Sequence, residues 1–289
     1  MKLLITGSNG MLAQDLIQEL EKVDWAFHAF TKKELDITQP AKIAEILQQI
    51  KPDALINCAA YTQVDQAEEE ALTAKKINHE GAANLARYCA MQQVKLIHLS
   101  TDFVFDGMQT EPYSESDAPN PSGVYGQTKR AGEISILEQM RDALIIRTSW
   151  LFGASGKNFV KTMLRLARSG SEIKVVDDQI GSPTWTVDLA KALIHLLQLK
   201  VSGIVHFSNR GECSWHELAA KTIEIAHQKG MLSNVIKVRP IPGSEYPTPA
   251  KRPAYSSLNC AKYQNLTGKT PPCWQASLTQ MLEQLSQNS

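Results

Sequence analysis

No stretch of this chain holds enough consecutive apolar residues to cross a bilayer, and the opening "MKLLITGSNG" breaks at Thr6 and Gly7 before a signal-peptide core can form. A protein of the cytoplasm is therefore expected. Charge of one sign is missing too, since 30 basic residues balance 30 acidic ones and the basic residues never gather into a patch. That balance argues against nucleic acid or an anionic membrane as partner and leaves a small molecule. The five cysteines, Cys58, Cys89, Cys213, Cys260 and Cys273, are odd in number, scattered and never in Cys-x-x-Cys spacing. They read as reduced, mostly buried thiols, and neither a disulfide framework nor a metal site is expected. Internal repeats and low-complexity tracts are absent. What remains is a 289-residue chain long enough for one large α/β domain, or a main domain with a smaller partner, around a substantial core.

Short apolar runs alternate with segments of helical period, the pattern of a parallel sheet covered by helices on both faces. The runs are Lys2 to Thr6, "WAFHAF" from Trp25, "ALIN" from Ala54, "KLIHLS" from Lys95 and "ALIIRT" from Ala143. Between them lie a helix marked by Leu12, Leu16 and Leu20, one with Pro40 in its first turn, and a long one ending near Cys89. Beyond Trp150 the order loosens. Helices are expected at about 158–168 and 186–199, strands at "IKVV" and "IVHFSN", and a helix opened by a capping box of Ser214 and Glu217 and closed near Gly230. "IPGSEYPTPAKRP", with four prolines, should be an ordered loop. A soft boundary falls near residue 150, with some elements after 183 returning to the first domain.

"TGSNGMLA" places Gly7 and Gly10 between a predicted strand and a predicted helix. Glycines there permit a tight turn and close backbone approach, and the helix N-terminus offers N–H groups and partial positive charge to a pyrophosphate. Glycines also serve simply to turn a chain; the strand-loop-helix context favours the dinucleotide. The acid that would hold an NAD ribose at the end of the second strand is missing. "FTKKELD" offers Lys32 and Lys33 instead, which suit a 2′-phosphate, so NADPH is expected with NADH as the other option. The bland alternative is that both lysines are solvated loop residues, and Glu34 could still reach a ribose. Asp36 and Ile37 follow where they could bracket an adenine.

"HLSTDFVF" ends a strand in Ser100, Thr101 and Asp102, and "YGQTK" puts Tyr125 and Lys129 on one face of a helix. Hydride reduction of a ketone creates alkoxide charge that a nearby acid must quench. A tyrosine can do so if an ammonium one turn away draws its pKa toward neutrality, and the Thr101 hydroxyl could polarise the same carbonyl. Tyr-x-x-x-Lys alone is common; behind a glycine loop and a Ser-Thr-Asp strand end it carries weight.

With these motifs the chain resembles the extended short-chain dehydrogenase/reductases, and within them the dTDP-4-dehydrorhamnose reductase family. The likeness runs through "LLITGSNGMLA", "NCAAYTQVDQAE", "STDFVF", "VYGQTKRAGE", "RTSWLFG", "NFVKTMLRLA", "DDQIGSPT" and "YPTPAKRP". It implies a Rossmann-type doubly wound sheet in residues 1–150 and a smaller, mainly substrate-binding α/β domain in 151–289. The implied activity is NADPH-dependent reduction of the 4-keto group of dTDP-4-dehydro-L-rhamnose, for cell-surface polysaccharide precursors. Gly7, Asn9, Gly10, Met11 and Leu12 would then hold the cofactor, with Lys32, Asp36 and Ile37, with Ala59, Ala60, Tyr61 and Thr62 at the third strand's exit, and with Leu99. Tyr125 would donate the proton, Lys129 would tune it and bind the nicotinamide ribose, Thr101 and Asp102 would hold the sugar's keto oxygen, and Trp150 would line the sugar pocket. From the residues alone, Trp150 reads as core.

Departures from the family pattern sharpen the reading. Phe103 stands where tyrosine is frequent. Some members form dimers bridged by magnesium; Asp15 could contribute, but Val187 occupies the second acid's place, so no metal and a monomer or weak homodimer are expected. His216-Glu217 lacks the second histidine of a zinc motif, Ala220 standing there. Nucleotide-sugar dehydratases carry an Asp-Glu pair after the threonine, whereas Asp102 is followed by Phe103. Other open readings are another nucleotide-sugar reductase or epimerase, or a non-catalytic NADP-binding regulatory subunit like that of methionine adenosyltransferase.

Overall fold

The structure is a computed structural model that describes residues 1–170 and 172–287. Its centre is a sheet of six parallel strands, β1 (Lys2–Thr6), β2 (Ala26–Phe30), β3 (Ala54–Asn57), β4 (Lys95–Thr101), β5 (Leu144–Thr148) and β6 (Gly203–His206), in the order β6-β5-β4-β3-β1-β2. Every residue of β3 and β5 is buried, as befits parallel strands covered on both faces. On one face Leu12, Leu16 and Leu20 of helix Met11–Leu20 meet Leu189, Leu193 and Leu196 of helix Thr186–Gln198 over Leu3 and Ile5. On the other, Ile43, Leu47, Leu85, Cys89 and Ile136 from helices 40–50, 82–91 and 124–139 cover Leu4, Leu55 and Leu96. The fold is thus a doubly wound, Rossmann-type α/β sheet, and its strand order reverses beside β1.

After β5 the chain builds a second cluster. Helices Phe159–Arg168, Trp215–Gln228 and Trp274–Gln287 pack around a two-stranded parallel sheet, Ile173–Val176 with Val238–Ile241. Helix Thr186–Gln198 and β6 return to the main sheet, β6 pairing with β5. Both arms of the Ser214/Glu217 capping box are present, and Asn158 caps its helix through Lys161 N–H at 3.1 Å.

Three elements depart from the sequence pattern. The expected long helix before β4 is broken into Gln66–Glu69, Ala71–Lys75, a π-helical stretch Lys76–Gly81, and Ala82–Met91. The π stretch turns Asn78 inward, where its amide takes Tyr61 N–H at 2.8 Å and gives to Tyr61 C=O at 3.1 Å. Val238–Ile241 is a strand despite Pro240, which an edge position tolerates. Trp274–Gln287 is a helix whose inner face, Leu278, Met281 and Leu282, finds its partner only in the second cluster.

Helix Val124–Gln139 is fastened to the sheet by charge. Glu133, on the face of Lys129 and Tyr125, takes Arg147 of β5 at 2.8 Å (Nε) and 2.7 Å (a terminal nitrogen), and Arg130 at 2.9 Å. Glu133 and Arg147 are 0% and 1% exposed. Burial pushes the Glu133 carboxyl up, but Arg147, with Ser100 and Arg130, brings the net shift downward, so the pair is ionic. Breaking such a pair strands a buried charge. Arg147→Met is therefore expected to cost about 3–5 kcal/mol in urea unfolding, and Arg147→Met with Glu133→Leu should recover most of it; an unchanged midpoint in the single variant would contradict this role.

Candidate active site

The loop between β1 and helix Met11–Leu20 is built on close approach. Gly7 has φ +69°, and a Cβ placed there would lie 2.8 Å from Ala59 N at the exit of β3, so only glycine lets the two strand ends meet. Gly10 sits at the N-cap and no side chain caps the helix, which leaves its first N–H groups to a ligand.

These strand ends frame a cleft of about 880 Å³. Its wall brings together Gly7, Asn9, Gly10, Met11 and Leu12; Lys32, Asp36 and Ile37; Ala59 to Thr62; and Leu99, Tyr125 and Lys129. A recess of about 520 Å³ continues past Asn9 to Thr31, Lys32, Lys33 and Asp36. Glu34 faces neither space: Thr31 N–H and the Thr31 hydroxyl both donate to its Oε2 at 2.8 Å, and these bonds hold its carboxyl below the ordinary value. The wall also takes in Ser100 of the strand-end motif and residues outside the predicted set, among them Cys58, Thr148, Leu151, Gly156 and Lys157. Cys58 adjoins motif residues and was findable. Gly156 and Lys157 arrive from a segment whose sequence carries no spacing signal.

Tyr125 is half-buried against the edge of Phe103, ring centroids 5.5 Å apart at 75°. Burial pushes its phenol up to about 12, with Asp102 adding to the rise and the Thr101 hydroxyl opposing it. The Lys129 amine makes its hydrogen bonds away from the phenol. Its Nζ donates to Leu99 C=O at 2.5 Å and stands 3.2 Å from His98 Nε2. Burial lowers Lys129 to about 8, against the nearby Glu133 and Cys58.

Thr101 and Asp102 are buried beside Tyr125 and do not form the cleft wall. The Thr101 hydroxyl donates to Asp102 Oδ1 at 2.9 Å and accepts Phe103 N–H at 3.2 Å. Burial raises the Asp102 carboxyl to about 6, against the hydroxyls of Ser256 and Thr101. Trp150 also stands off the cleft wall, at φ 47°, stacked on Trp215 with centroids 3.5 Å apart and 5° between planes. The proline loop reaches the same region through Arg252, which pairs with Asp65 at 2.7 Å and lies 5.9 Å over the Phe103 ring. Glu68, three residues on, accepts the Val124 N–H at 2.9 Å at the start of the tyrosine helix. Asp15 accepts from the Thr186 hydroxyl, and Asp188 from Asn209 at 2.7 Å and Ser277 at 2.5 Å, so both acids have partners within the chain.

A doubly wound sheet with a glycine loop at the first strand's exit, facing Tyr-x-x-x-Lys across one cleft, defines an oxidoreductase of the extended short-chain dehydrogenase/reductase class. The family model described as the RmlD substrate binding domain matches residues 1–287. A dTDP-4-dehydrorhamnose reductase of Aggregatibacter actinomycetemcomitans is 40% identical, covering 96% of this chain and 97% of its own. A dTDP-4-keto-6-deoxy-D-glucose reductase of Streptomyces niveus is 38% identical over 96% and 95%. The crystal structure of dTDP-4-dehydrorhamnose reductase from Bacillus anthracis in complex with NADP superposes with TM-score 0.93 at 40% identity, covering 98% and 99%. The chain belongs to the dTDP-4-dehydrorhamnose reductase family.

Gly7→Ala tests the loop geometry. Left-handed strain alone should lower stability by about 1–2 kcal/mol, and displacement of the loop should weaken dinucleotide binding by about tenfold or more, read by thermal unfolding and by NADPH fluorescence titration. A variant that matches the wild type in both would contradict the close approach to Ala59.

Proposed function

We propose that the chain reduces the 4-keto group of dTDP-4-dehydro-L-rhamnose to dTDP-L-rhamnose with NADPH, a step toward cell-surface polysaccharide precursors. The observation that carries this reading is the opening of Tyr125 and Lys129 onto the same cleft as the Gly7 to Leu12 loop. The residues suit a dinucleotide: the loop comes too close to Ala59 for any Cβ at Gly7, and the helix N-terminus behind it lacks a side-chain cap. Lys32 and Lys33 on the adjoining recess suit a 2′-phosphate, while Glu34 is turned to Thr31. Bound there, NADPH supplies the hydride.

The chain's own residues handle the proton. At neutral pH the buried Tyr125 phenol keeps its proton, available to the oxygen of the reduced carbon. Phe103 fixes the ring by edge contact, and Thr101, held by Asp102 and Phe103 N–H, presents its hydroxyl beside the phenol. Lys129 would hold the nicotinamide ribose from the floor of the cleft. Asp102 and Trp150 would contact the sugar nucleotide, Trp150 after leaving or extending its stack on Trp215. Phe103 also weighs against dehydration, because the place of a second acid is taken by an apolar ring packed on Tyr125.

In this reading residues 1–150, with the elements that return after 183, form the NADP-binding part and most of 151–289 the substrate-binding part. The enzyme works in the cytoplasm as a monomer or weak homodimer. The Streptomyces niveus relative supports a second substrate, a dTDP-4-keto-6-deoxy-D-glucose, for the same site. Following NADPH absorbance with both keto sugars decides between them; no oxidation with either refutes the reductase reading. Tyr125→Phe should lower kcat by about 10²–10⁴-fold with NADPH affinity unchanged; equal activity, or wild-type inactivity that leaves only binding, favours a regulatory subunit. Replacing Lys32 and Lys33 by alanine should raise KM for NADPH by about tenfold or more and leave KM for NADH within about twofold. Equal effects on both would place the 2′-phosphate elsewhere.

A further inference from the structure

A row of buried polar side chains crosses the sheet beneath the cleft: Thr6 of β1 pairs in register with Asn57 of β3, and Asn57 with His98 of β4. Asn57 Oδ1 accepts the Thr6 hydroxyl at 2.6 Å and Ala59 N–H at 3.1 Å. The backbone donor at Ala59 rules out the flipped amide, which would set N–H against N–H. Asn57 Nδ2 is therefore the atom 2.9 Å from His98 Nδ1, and it donates. A neutral imidazole has one donor and one acceptor nitrogen. Nδ1 must carry the lone pair, so the ring proton is on Nε2, 3.2 Å from Lys129 Nζ.

We propose that His98 is a positioning residue for Lys129: held by Asn57 as the Nε2–H tautomer, it donates to the lysine's free amine and opposes the ammonium form. An ammonium has three donors and no acceptor, so beside Nε2–H it has nothing to accept with, whereas the amine has a lone pair. Nζ donates at the same time to Leu99 C=O at 2.5 Å, which fixes its position between the two. Charging Lys129 then requires the ring to abandon Asn57 or to leave two donors facing each other.

Burial, and after it the charge of Lys129, hold His98 well below its usual value, so the ring stays neutral. The other titratable groups facing Lys129 are Cys58 from the β3 exit, pushed up to about 12, and Glu133 on its own helix, ionised against Arg147 and Arg130. Tyr125 shares the cleft wall with Lys129, and Asp102 lies behind Tyr125. Among the described residues, the hydrogen-bond partners of Lys129 Nζ are His98 and Leu99 C=O. Lys129 is charged below its pKa, so any step needing the ammonium is lost as pH rises through about 8, and removing the Nε2–H should move that loss to higher pH.

The inference rests on Lys129 belonging to the reductase site only in its kinetic arm. The first arm is a long-range proton–nitrogen correlation spectrum of wild-type protein labelled with ¹⁵N-histidine, recorded above the Lys129 titration. The second fully buried ring, His206, has its Nδ1 3.0 Å from Tyr113 C=O and must be the Nδ1–H tautomer. One neutral buried ring of each tautomer is expected; two Nδ1–H rings overturn the proposal whether or not the enzyme turns over the proposed sugar. The second arm is the pH profile of kcat in His98→Gln, whose carbonyl can accept from the ammonium. The basic limb should move up by about one pH unit or more. A limb that stays in place while the rate drops evenly at every pH is what a purely structural histidine gives, and overturns it. Should that variant not fold, the wild-type spectrum alone decides.

Discussion

The buried ion pair between Glu133 and Arg147 sets the position of helix Val124–Gln139, and with it the position of everything chemical in this protein. A helix resting on a sheet by apolar contacts alone can slide; a bidentate carboxylate–guanidinium pair at 2.7 and 2.8 Å has one geometry. Tyr125, Lys129 and Glu133 are spaced four apart, so a helix anchored at Glu133 presents the other two to the strand ends. Two glycines let it lie close: a Cβ at Gly126 would run into Phe103 C=O, and one at Gly132 into Asn78 C=O. Glu68 holds the helix start through Val124 N–H. Its register against the cleft therefore follows from charge at one end, capping at the other and absent side chains between.

Burial then shapes the electrostatics. Tyr125 is pushed to about 12, Asp102 to about 6 and Lys129 down to about 8. All three shifts favour the uncharged form, the result of withdrawing ionisable groups from water. Such a site stores protons on the phenol instead of paying the solvation penalty of a phenolate. The pairing of Lys129 with Leu99 C=O and His98, and not with Tyr125, belongs to the same logic: in a dry floor the amine goes to the nearest polar partners.

Much of this was readable in order along the chain. The apolar runs became strands in nearly the expected places, because a strand covered on both faces must be apolar almost throughout and the sequence shows that directly. The glycine loop, Ala59 to Thr62, Leu99, Tyr125 and Lys129 share one cleft wall. Less readable were features whose cause lies far off in sequence. The helix before β4 takes on a π-helical stretch around Asn78, whose amide serves Tyr61, seventeen residues earlier. Trp150 rests on Trp215, and Gly156 and Lys157 reach the cleft from a segment with no periodic signal. The strand at Val238–Ile241 pairs along the edge of Ile173–Val176, far off in sequence.

The amino-acid sequence by itself determined the fold class, the loop suited to a pyrophosphate, the lysines at the end of β2 and the tyrosine–lysine helix, since each depends on spacing within one element or across one turn. Only the tertiary structure decided which partners those groups have. Lys129 faces a histidine from β4 instead of the tyrosine one turn away, Glu34 is spent on Thr31, and Asp15 on Thr186. The reason is physical: hydrogen bonds and pKa shifts act over a few ångströms, and in a parallel sheet residues that far apart in space stand tens to hundreds of positions apart in the chain.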